Sequence, residues 1–218
     1  MITLHHVPGA RSLRVLWLLE ELGLDYRLRN WSLTDGSLRS EEFLALSPAG
    51  RVPAIEIDGR VIFESGAIVE YLAETHPEAG LAPAVGEPTR ADYLEWLHFA
   101  ETQANILQAL NIHHIFLRPP SARSRPLMAL DTKRLVVTMR ALEQHLGAHE
   151  WLVGRFSAAD CMMGFNIDAM FRFVRAEGFA NLCAYRDRIA ARPAYRAALE
   201  KDGGMTLYTR DFYELPDA

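Results

Sequence analysis

The spacing of hydrophobic residues along the chain changes near residue 80. Before that point, short β-favouring runs alternate with runs of helical spacing, and Gly or Pro separates several of them. The pattern predicts strands and helices in the order βαβ, then αββα. The strands are Ile2–Val7, Tyr26–Trp31, Ala54–Ile57 and Arg60–Phe63, and the helices run from Ser12 to Gly23, Glu41 to Leu46 and Ser65 to Glu74.

Two connections set the strand directions in the predicted sheet. A βαβ unit needs a parallel pair of strands, and residues 2–31 have that order. Asp58-Gly59 lies between two β-favouring runs and is the strongest short hairpin signal, which needs an antiparallel pair. We therefore predict an α/β domain with a mixed four-stranded sheet over residues 1–80.

The remainder of the chain has helical spacing throughout. Residues 81–88 belong to a stretch rich in Pro, Gly and Ala, which predicts a linker. We predict an all-helical domain over residues 89–218. Its helices are Thr89–Leu117 (one long helix or a bent pair), Leu127–Leu146, Ala158–Arg175, Leu182–Ala191 and Ala194–Lys201.

Composition and charge exclude several classes of protein. Half of the residues are hydrophobic, the net charge is −5, and no basic stripe is present, which argues against a nucleic-acid partner. No apolar run is long enough to predict a membrane span. The two cysteines, Cys161 and Cys183, do not make a disulfide framework. With no signal-peptide pattern at the start, these features predict a cytoplasmic protein.

Two pairs of adjacent histidines invite a metal interpretation, which we reject. His5 and His6 fall on a predicted strand, so their side chains point to opposite faces. His113 and His114 fall on a predicted helix and diverge by about 100°. Since no carboxylate or thiol completes a ligand set at a recognised spacing, we predict no metal site.

Pro53 stands at the start of a predicted strand, where a proline removes one donor from the ladder. If the Val52–Pro53 bond is cis, the N–H and C=O of Val52 face outward and can pair with an extended peptide. An ordinary trans proline at a strand edge is the alternative. The local sequence alone favours it, because only about 5–6% of X–Pro bonds in folded proteins are cis.

Glu64-Ser65 marks the end of a strand and the start of a helix. Ser65 is a good N-cap, and the first N–H groups of the helix can bind an anion. Glu64 can accept hydrogen bonds from an ammonium group. A γ-glutamyl group carries a carboxylate and an ammonium on one carbon, so the pair suits it. A plain helix cap beside an exposed acid is the alternative.

These motifs together resemble the cytosolic glutathione S-transferase family of the bacterial type, and the resemblance covers the whole chain. It is carried by Leu4–Gly9, Ser12–Gly23, Arg51-Val52-Pro53, Glu64-Ser65, Trp151–Gly154 and Phe156–Asp160. The resemblance implies a thioredoxin-like first domain, glutathione as co-substrate and a hydrophobic electrophile as second substrate. It also implies detoxification and a homodimer.

The resemblance assigns roles to five binding residues. It implies a cis Pro53, with the backbone of Val52 pairing with the cysteinyl part of glutathione. Glu64 and Ser65 are expected to hold the γ-glutamyl end. Arg51 stands where many relatives have a lysine near the glycyl carboxylate.

The group that activates the thiol departs from the family pattern. Relatives use a tyrosine, serine or cysteine near the end of the first strand, but this chain has Ala10 at the serine position and Arg11 at the cysteine position. The remaining candidates for catalysis are the Ser12 hydroxyl, the Arg11 charge and the backbone N–H groups of both residues. A simple N-cap for Ser12 and a surface arginine for Arg11 are the alternatives.

The family builds part of its second-substrate pocket from the first long helix of the helical domain. This predicts Asn111, His114 and Phe116 as pocket residues, with ordinary surface and core positions as the alternative. The leading function is conjugation of glutathione to an electrophile. An isomerase, dehalogenase or disulfide reductase using the same thiolate, a ligand carrier or regulatory protein, and an adaptor without a glutathione site remain open.

Ser157 and Asp160 have the spacing of a capping box, with Asp in place of the usual Glu or Gln. We expect a structural role for this pair. Asp160→Ala should destabilise the fold by about 1–2 kcal/mol, as the loss of a cap does.

Overall fold

The computed structural model describes residues 1–204 and 207–215. It confirms the predicted fold class, a four-stranded mixed sheet with helices followed by a helical region. The elements are β1 (Ile2–His6), α1 (Leu13–Leu22), β2 (Tyr26–Asn30), α2 (Glu41–Leu46), β3 (Ala54–Ile57), β4 (Arg60–Phe63), α3 (Ser65–Thr75), α4 (Arg90–Asn111), α5 (Arg125–Leu146), α6 (Ala158–Met170), α7 (Ala180–Ala191) and α8 (Pro193–Asp202).

The sheet has the strand order β2-β1-β3-β4. Strands β1 and β2 are parallel, whereas β1–β3 and β3–β4 are antiparallel, as the βαβ unit and the hairpin predict. Leu4 and Ile55 are partners on the two central strands and are fully buried. Helices α1 and α3 bury apolar stripes that include Leu16 and Leu72, which supplies the hydrophobic stabilisation of this layer.

The described residues divide into two compact units. The first comprises Met1–Arg90 and the described part of Ala190–Thr206, and the second comprises Ala91–Ile189 and the described part of Leu207–Ala218. The domain bounds predicted from the sequence, residues 1–80 and 89–218, stay a prediction. The compact units assign α8 to the first unit.

Helix α8 is held on α1 by an aromatic contact and an ion pair. The ring centroids of Trp17 and Tyr195 are 4.7 Å apart. Arg192 donates to both carboxylate oxygens of Glu21, from Nε at 2.6 Å and from Nη2 at 2.7 Å. This two-bond geometry restricts the relative position of two helices that lie far apart in sequence.

In the second unit, the helix predicted over Thr89–Leu117 is interrupted. Helix α4 ends at Asn111, and a π-helical turn follows over Ile112–Phe116. The N–H of Leu117 donates to the carbonyl of Ile112 at 2.9 Å, five residues back. This wider turn accompanies the burial of His114 against aromatic rings, a packing that the hydrophobic spacing does not encode.

The helix predicted over Ala158–Arg175 also ends early, because α6 stops at Met170. The capping box predicted at its start is present. No helix in residues 1–204 and 207–215 is both long enough and apolar enough to cross a membrane.

Candidate functional site

A cleft of about 190 Å³ lies in the first unit. The residues predicted for glutathione binding all line it, and so do Ala10 and Arg11 of the loop after β1. The predicted set comprises Arg51, Val52, Pro53, Glu64 and Ser65. Three separated segments of the sequence therefore meet at one concave surface.

The segment before β3 forms one wall of the cleft. The Val52–Pro53 peptide bond is cis, which confirms the expectation drawn from the family resemblance. Gly50 has φ +61°, in the left-handed region that favours glycine. A Cβ at Gly50 would lie 2.8 Å from the carbonyl oxygen of Leu38 and 2.7 Å from Nη1 of Arg39. The close approach requires glycine at this position.

The start of α3 forms another part of the cleft lining. Glu64 has φ +74°, an uncommon value for a residue with a side chain, and it directly precedes the helix. Ser65 is the first residue of α3, and its Oγ accepts a hydrogen bond from Nη1 of Arg14 at 3.0 Å. The helix N-terminus and the guanidinium together make this end of the cleft favourable for a negative charge.

Arg14 does not line the cleft, but it supports the lining residue Ser65, a contact that the sequence did not predict. It is fully buried on α1 within a run of apolar side chains, Leu13 to Leu19. A buried charge is costly unless it is paired, so an arginine inside an apolar stripe was the available signal.

A small hydrophobic core lies under the cleft. Val7, Leu38 and Phe43 form its buried centre, and the partly buried side chains of Ala10 and Val52 pack against it. The methyl group of Ala10, at the position where the family resemblance leads us to expect a serine, thus has an apolar neighbourhood.

Ser12 is fully buried and does not line the cleft. Its Oγ lies 3.3 Å from both backbone groups of Val7, donating to the carbonyl and accepting from the N–H. Ser12 precedes α1 but has helical φ and ψ and makes no side-chain cap. Of the two residues predicted for catalysis, the structure therefore brings Arg11 to the cleft and turns the Ser12 hydroxyl back to its own loop.

The loop after β1 is also held by the last residue of α8. The N–H of Gly9 donates to both carboxylate oxygens of Asp202, each at 3.0 Å. Nε2 of His6 lies 3.3 Å from Oδ1 of the same carboxylate, which is only 3% exposed. Sequence spacing gave no signal of this contact, because about 190 residues separate Gly9 from Asp202.

His5 has structural partners on both ring nitrogens. Its Nε2 lies 2.9 Å from Oε1 of Glu56, and its Nδ1 accepts a hydrogen bond from Nε1 of Trp31 at 3.0 Å. Among the described residues, no group of three or more His, Cys, Asp or Glu side chains is arranged to hold a metal ion.

A second cavity, of about 290 Å³, lies in the second unit. Of the three residues predicted for a second-substrate pocket, His114 lines this cavity, whereas Asn111 and Phe116 do not. Phe116 is 52% exposed. Burial, followed by the charges of Arg123 and His113, lowers the pKa of His114 to about 4, so this imidazole is neutral at pH 7.

Comparison with known proteins agrees with this geometry. Residues 1–74 match the family model of the glutathione S-transferase N-terminal domain, and residues 106–193 match that of the glutathione S-transferase C-terminal domain. The chain belongs to the glutathione S-transferase family.

Similar proteins cover almost the whole chain. Glutathione S-transferase GstA of Escherichia coli O157:H7 is 30% identical over 92% of this chain and 98% of its own length. Disulfide-bond oxidoreductase YfcG of Escherichia coli K12 is 32% identical, covering 92% and 95%. The solved structure of a sphingomonad glutathione S-transferase complexed with glutathione superposes with a TM-score of 0.80 at 29% identity, covering 92% and 98%.

Proposed function

We propose that this protein binds glutathione in the cleft of the first unit and transfers its sulfur to an electrophilic small molecule. The observation that carries the proposal is the meeting of Arg11, Arg51, Val52, Glu64 and Ser65 on one cleft. Family membership supports the same conclusion, and a relative of the same fold holds glutathione.

Each end of the tripeptide has a chemical match in the cleft. The γ-glutamyl carboxylate is placed at the start of α3, where Ser65 and the buried Arg14 attract an anion. Glu64 accepts from the γ-glutamyl ammonium, and the backbone of Val52 pairs with the cysteinyl residue, as an added strand does. Arg51 faces the glycyl carboxylate.

We assign thiol activation to the Arg11 charge and to the backbone N–H groups of Arg11 and Ser12, which precede α1. A free thiol has a pKa near 8.5, and lowering it by one unit takes about 1.4 kcal/mol of preferential stabilisation of the thiolate. One charge-assisted hydrogen bond is worth about 1.5–3 kcal/mol, so one well-placed donor is sufficient. Because the Ser12 hydroxyl bonds to Val7, we assign Ser12 to the shape of the loop.

In the conjugation step, the thiolate attacks an electrophilic carbon and a C–S bond forms. In a substitution, the leaving group departs with its bonding electron pair; in an addition, the electron pair moves to an adjacent atom that is then protonated. The protein holds the two reactants together and stabilises the thiolate before attack.

The test is an ultraviolet titration of the thiolate of glutathione bound to the full protein. We expect the bound thiol to ionise below pH 8.5, Arg11→Gln to move its pKa back toward the free value, and Ser12→Ala to change it little. Ala10→Ser should lower it further by restoring a hydroxyl. Glutathione that binds but ionises like the free thiol would replace the transferase proposal with a carrier function.

Two alternative functions rest on particular observations. The alanine at position 10 favours a ligand carrier or regulatory protein without strong activation. The relative named disulfide-bond oxidoreductase favours glutathione-dependent disulfide reduction by the same bound thiolate. Turnover of a small disulfide, compared with turnover of an aromatic halide, separates reduction from conjugation.

We further propose that the protein is a cytoplasmic homodimer that acts in detoxification. Cys161 and Cys183 are thiols that form no disulfide, which supports a reducing compartment, and the dimer follows from the family resemblance. Sedimentation equilibrium of the purified chain tests the dimer directly.

A further inference from the structure

The cavity of the second unit has a strongly cationic lining. Arg118, Arg123 and Arg210 line it, together with one acid, Glu214. The Glu214 carboxylate accepts a hydrogen bond from Nη2 of Arg175 at 2.9 Å, so its charge is already paired. The lining therefore carries an excess of positive charge.

Two of the lining residues, His114 and Arg123, contain buried polar atoms without hydrogen-bond partners in the described residues. His114 is 6% exposed, and its Nε2 is buried without a hydrogen-bond partner in the described residues. Nε of Arg123 is likewise buried without a hydrogen-bond partner in the described residues. Since a buried polar atom left unpaired costs roughly 1–3 kcal/mol, these atoms indicate a site that is completed by a bound group.

The walls of the cavity are held in place by their own contacts. Residues 209–214 form one wall, and the N–H of Tyr213 donates to the carbonyl of Arg172 at 2.8 Å. Nη1 of Arg172 donates in turn to the carbonyl of Arg210 at 3.1 Å. The Tyr213 hydroxyl accepts from the N–H of Thr209 at 2.9 Å. These bonds fix the segment that presents Arg210 and Tyr213.

Aromatic rings line and support the cavity. The rings of His114 and Tyr213, both lining residues, have centroids 5.9 Å apart, and Phe173 lies 5.2 Å from His114. A flat apolar body fits against such a surface. A volume of about 290 Å³ is sufficient for one aromatic ring and its substituents.

We propose that this cavity binds a small aromatic carboxylic acid, with the carboxylate on the arginines and the ring against Tyr213 and His114. Guanidinium groups bind carboxylates through two parallel hydrogen bonds, and Nε2 of His114 supplies a neutral partner. The low pKa of His114 agrees with a site whose positive charge comes from the arginines. All lining residues belong to the second unit, so binding of the acid can be measured whether or not the protein conjugates glutathione.

The binding test uses the full protein without glutathione, titrated calorimetrically with benzoate, with its neutral analogue benzamide and with inorganic phosphate. We expect benzoate to bind at least about tenfold more tightly than benzamide, because benzamide loses the charge-assisted bonds. Phosphate should bind more weakly than benzoate, because it has no ring. Phosphate binding as tight as benzoate binding, or no benzoate binding, would overturn the proposal.

Two variants locate the site. Arg210→Gln changes an exposed side chain, and Arg123→Gln removes a half-buried one; each should weaken benzoate binding about tenfold. Arg140→Gln, an exposed arginine of α5 outside the cavity, is the matched control and should bind benzoate like the parent. Unchanged benzoate binding by Arg210→Gln, with its melting temperature preserved, would contradict the assignment.

A kinetic experiment distinguishes whether the bound acid is part of the substrate that is conjugated or a separate ligand. The matched electrophiles are 1-chloro-2,4-dinitrobenzene and 4-chloro-3-nitrobenzoate, which differ in the carboxylate. If Arg210→Gln raises KM for the acid alone, the acid is part of the conjugated substrate. If Arg210→Gln leaves both KM values unchanged but weakens benzoate binding, the cavity binds a ligand other than the conjugated substrate. Inactivity toward both electrophiles would count against the proposed transferase and leave the benzoate test intact.

Discussion

At the scale of single residues, Gly50 is the cleft position whose backbone tolerates least change. Its φ of +61° disfavours any side chain, and a Cβ would come within 2.8 Å of a backbone carbonyl. Backbone strain of this kind costs about 1–3 kcal/mol, so we expect Gly50→Ala to lower the free energy of unfolding by at least that amount. We also expect it to weaken glutathione binding. Urea unfolding and calorimetric titration with glutathione measure the two effects.

Gly36 provides the matched control for this change. It also has a positive φ, +83°, but a Cβ there would meet no atom within 4 Å. Gly36→Ala should therefore show the backbone strain alone and leave glutathione binding near the parent value. Equal effects of both variants on binding would contradict a steric role for Gly50.

Asp160 connects the capping box to a distant helix. Its carboxylate accepts from the N–H groups of Leu152 and Ser157, at 3.1 and 2.8 Å. The hydroxyls of Ser157 and Tyr185 also donate to it, at 3.0 and 2.7 Å. The carboxylate is completely buried, so Asp160→Ala should cost about 3 kcal/mol or more, above the 1–2 kcal/mol expected from capping alone.

Burial raises the pKa of Asp160 to about 6. The folded protein then holds this proton more tightly than the unfolded chain, whose value is near 3.8. The stability that this group contributes is fully present below pH 3.8 and is lost as the pH rises through about 6. Asp160→Asn should remove that slope from a plot of unfolding free energy against pH.

Tyr185→Phe tests the hydrogen bond that the Tyr185 hydroxyl donates to the ionised carboxylate of Asp160. The Tyr185 hydroxyl favours the carboxylate, so its removal should cost about 1.5–3 kcal/mol at pH 8 and nearer 1 kcal/mol at pH 5, where Asp160 is largely protonated. In an Asp160→Asn background the pH dependence of this cost should vanish. A cost that is the same at both pH values in the parent would show that ring packing, not the hydroxyl, carries it.

At the scale of elements, α8 fixes the loop that carries the proposed activating group. The Asp202 carboxylate accepts from the N–H of Gly9 and contacts Nε2 of His6. Both residues precede Ala10 and Arg11, between them and β1 or on β1 itself. We expect Asp202→Ala to reduce kcat for conjugation more than it weakens glutathione binding, because the cleft walls at Val52 and Ser65 do not depend on this contact.

Glu200 is the control for Asp202, because it is an exposed acid on the same helix. Glu200→Gln changes the charge of α8 without touching the loop and should leave kcat unchanged. The bound-thiol titration adds a readout specific to positioning: Asp202→Ala should raise the pKa of bound glutathione. A lower melting temperature with unchanged thiol ionisation would assign Asp202 to stability only.

The elements also show what the sequence can predict. The strands and the hairpin at Asp58-Gly59 follow from local patterns, because turn chemistry and periodicity act over a few residues. The cleft residues from Arg51 to Ser65 follow from the family resemblance instead, since the local sequence alone favours a trans Pro53. The contacts of Arg14 with Ser65 and of Tyr185 with Asp160 join residues 51 and 25 positions apart. No local preference specifies such pairs, and the π-helical turn before Leu117 likewise depends on tertiary packing.

At the scale of the whole molecule, each of the two compact units contains its own cavity, and the two cavities differ in chemistry. The cleft of the first unit combines a helix N-terminus, the acid Glu64 and exposed peptide groups, which suits a zwitterionic peptide. The cavity of the second unit combines arginines with aromatic rings, which suits an aromatic acid. A zwitterionic tripeptide and an aromatic acid can therefore report on the two units separately, although both carry a carboxylate.

Hydrogen–deuterium exchange of the full chain tests that separation. A ligand that binds only the native state slows the local opening of the segments it contacts. Glutathione should slow exchange in peptides covering residues 7–12 and 47–68, whereas benzoate should slow it in residues 112–123 and 207–215. In Arg210→Gln the benzoate effect should disappear while the glutathione effect persists. Protection of the 47–68 peptides by benzoate would instead place the acid in the glutathione cleft.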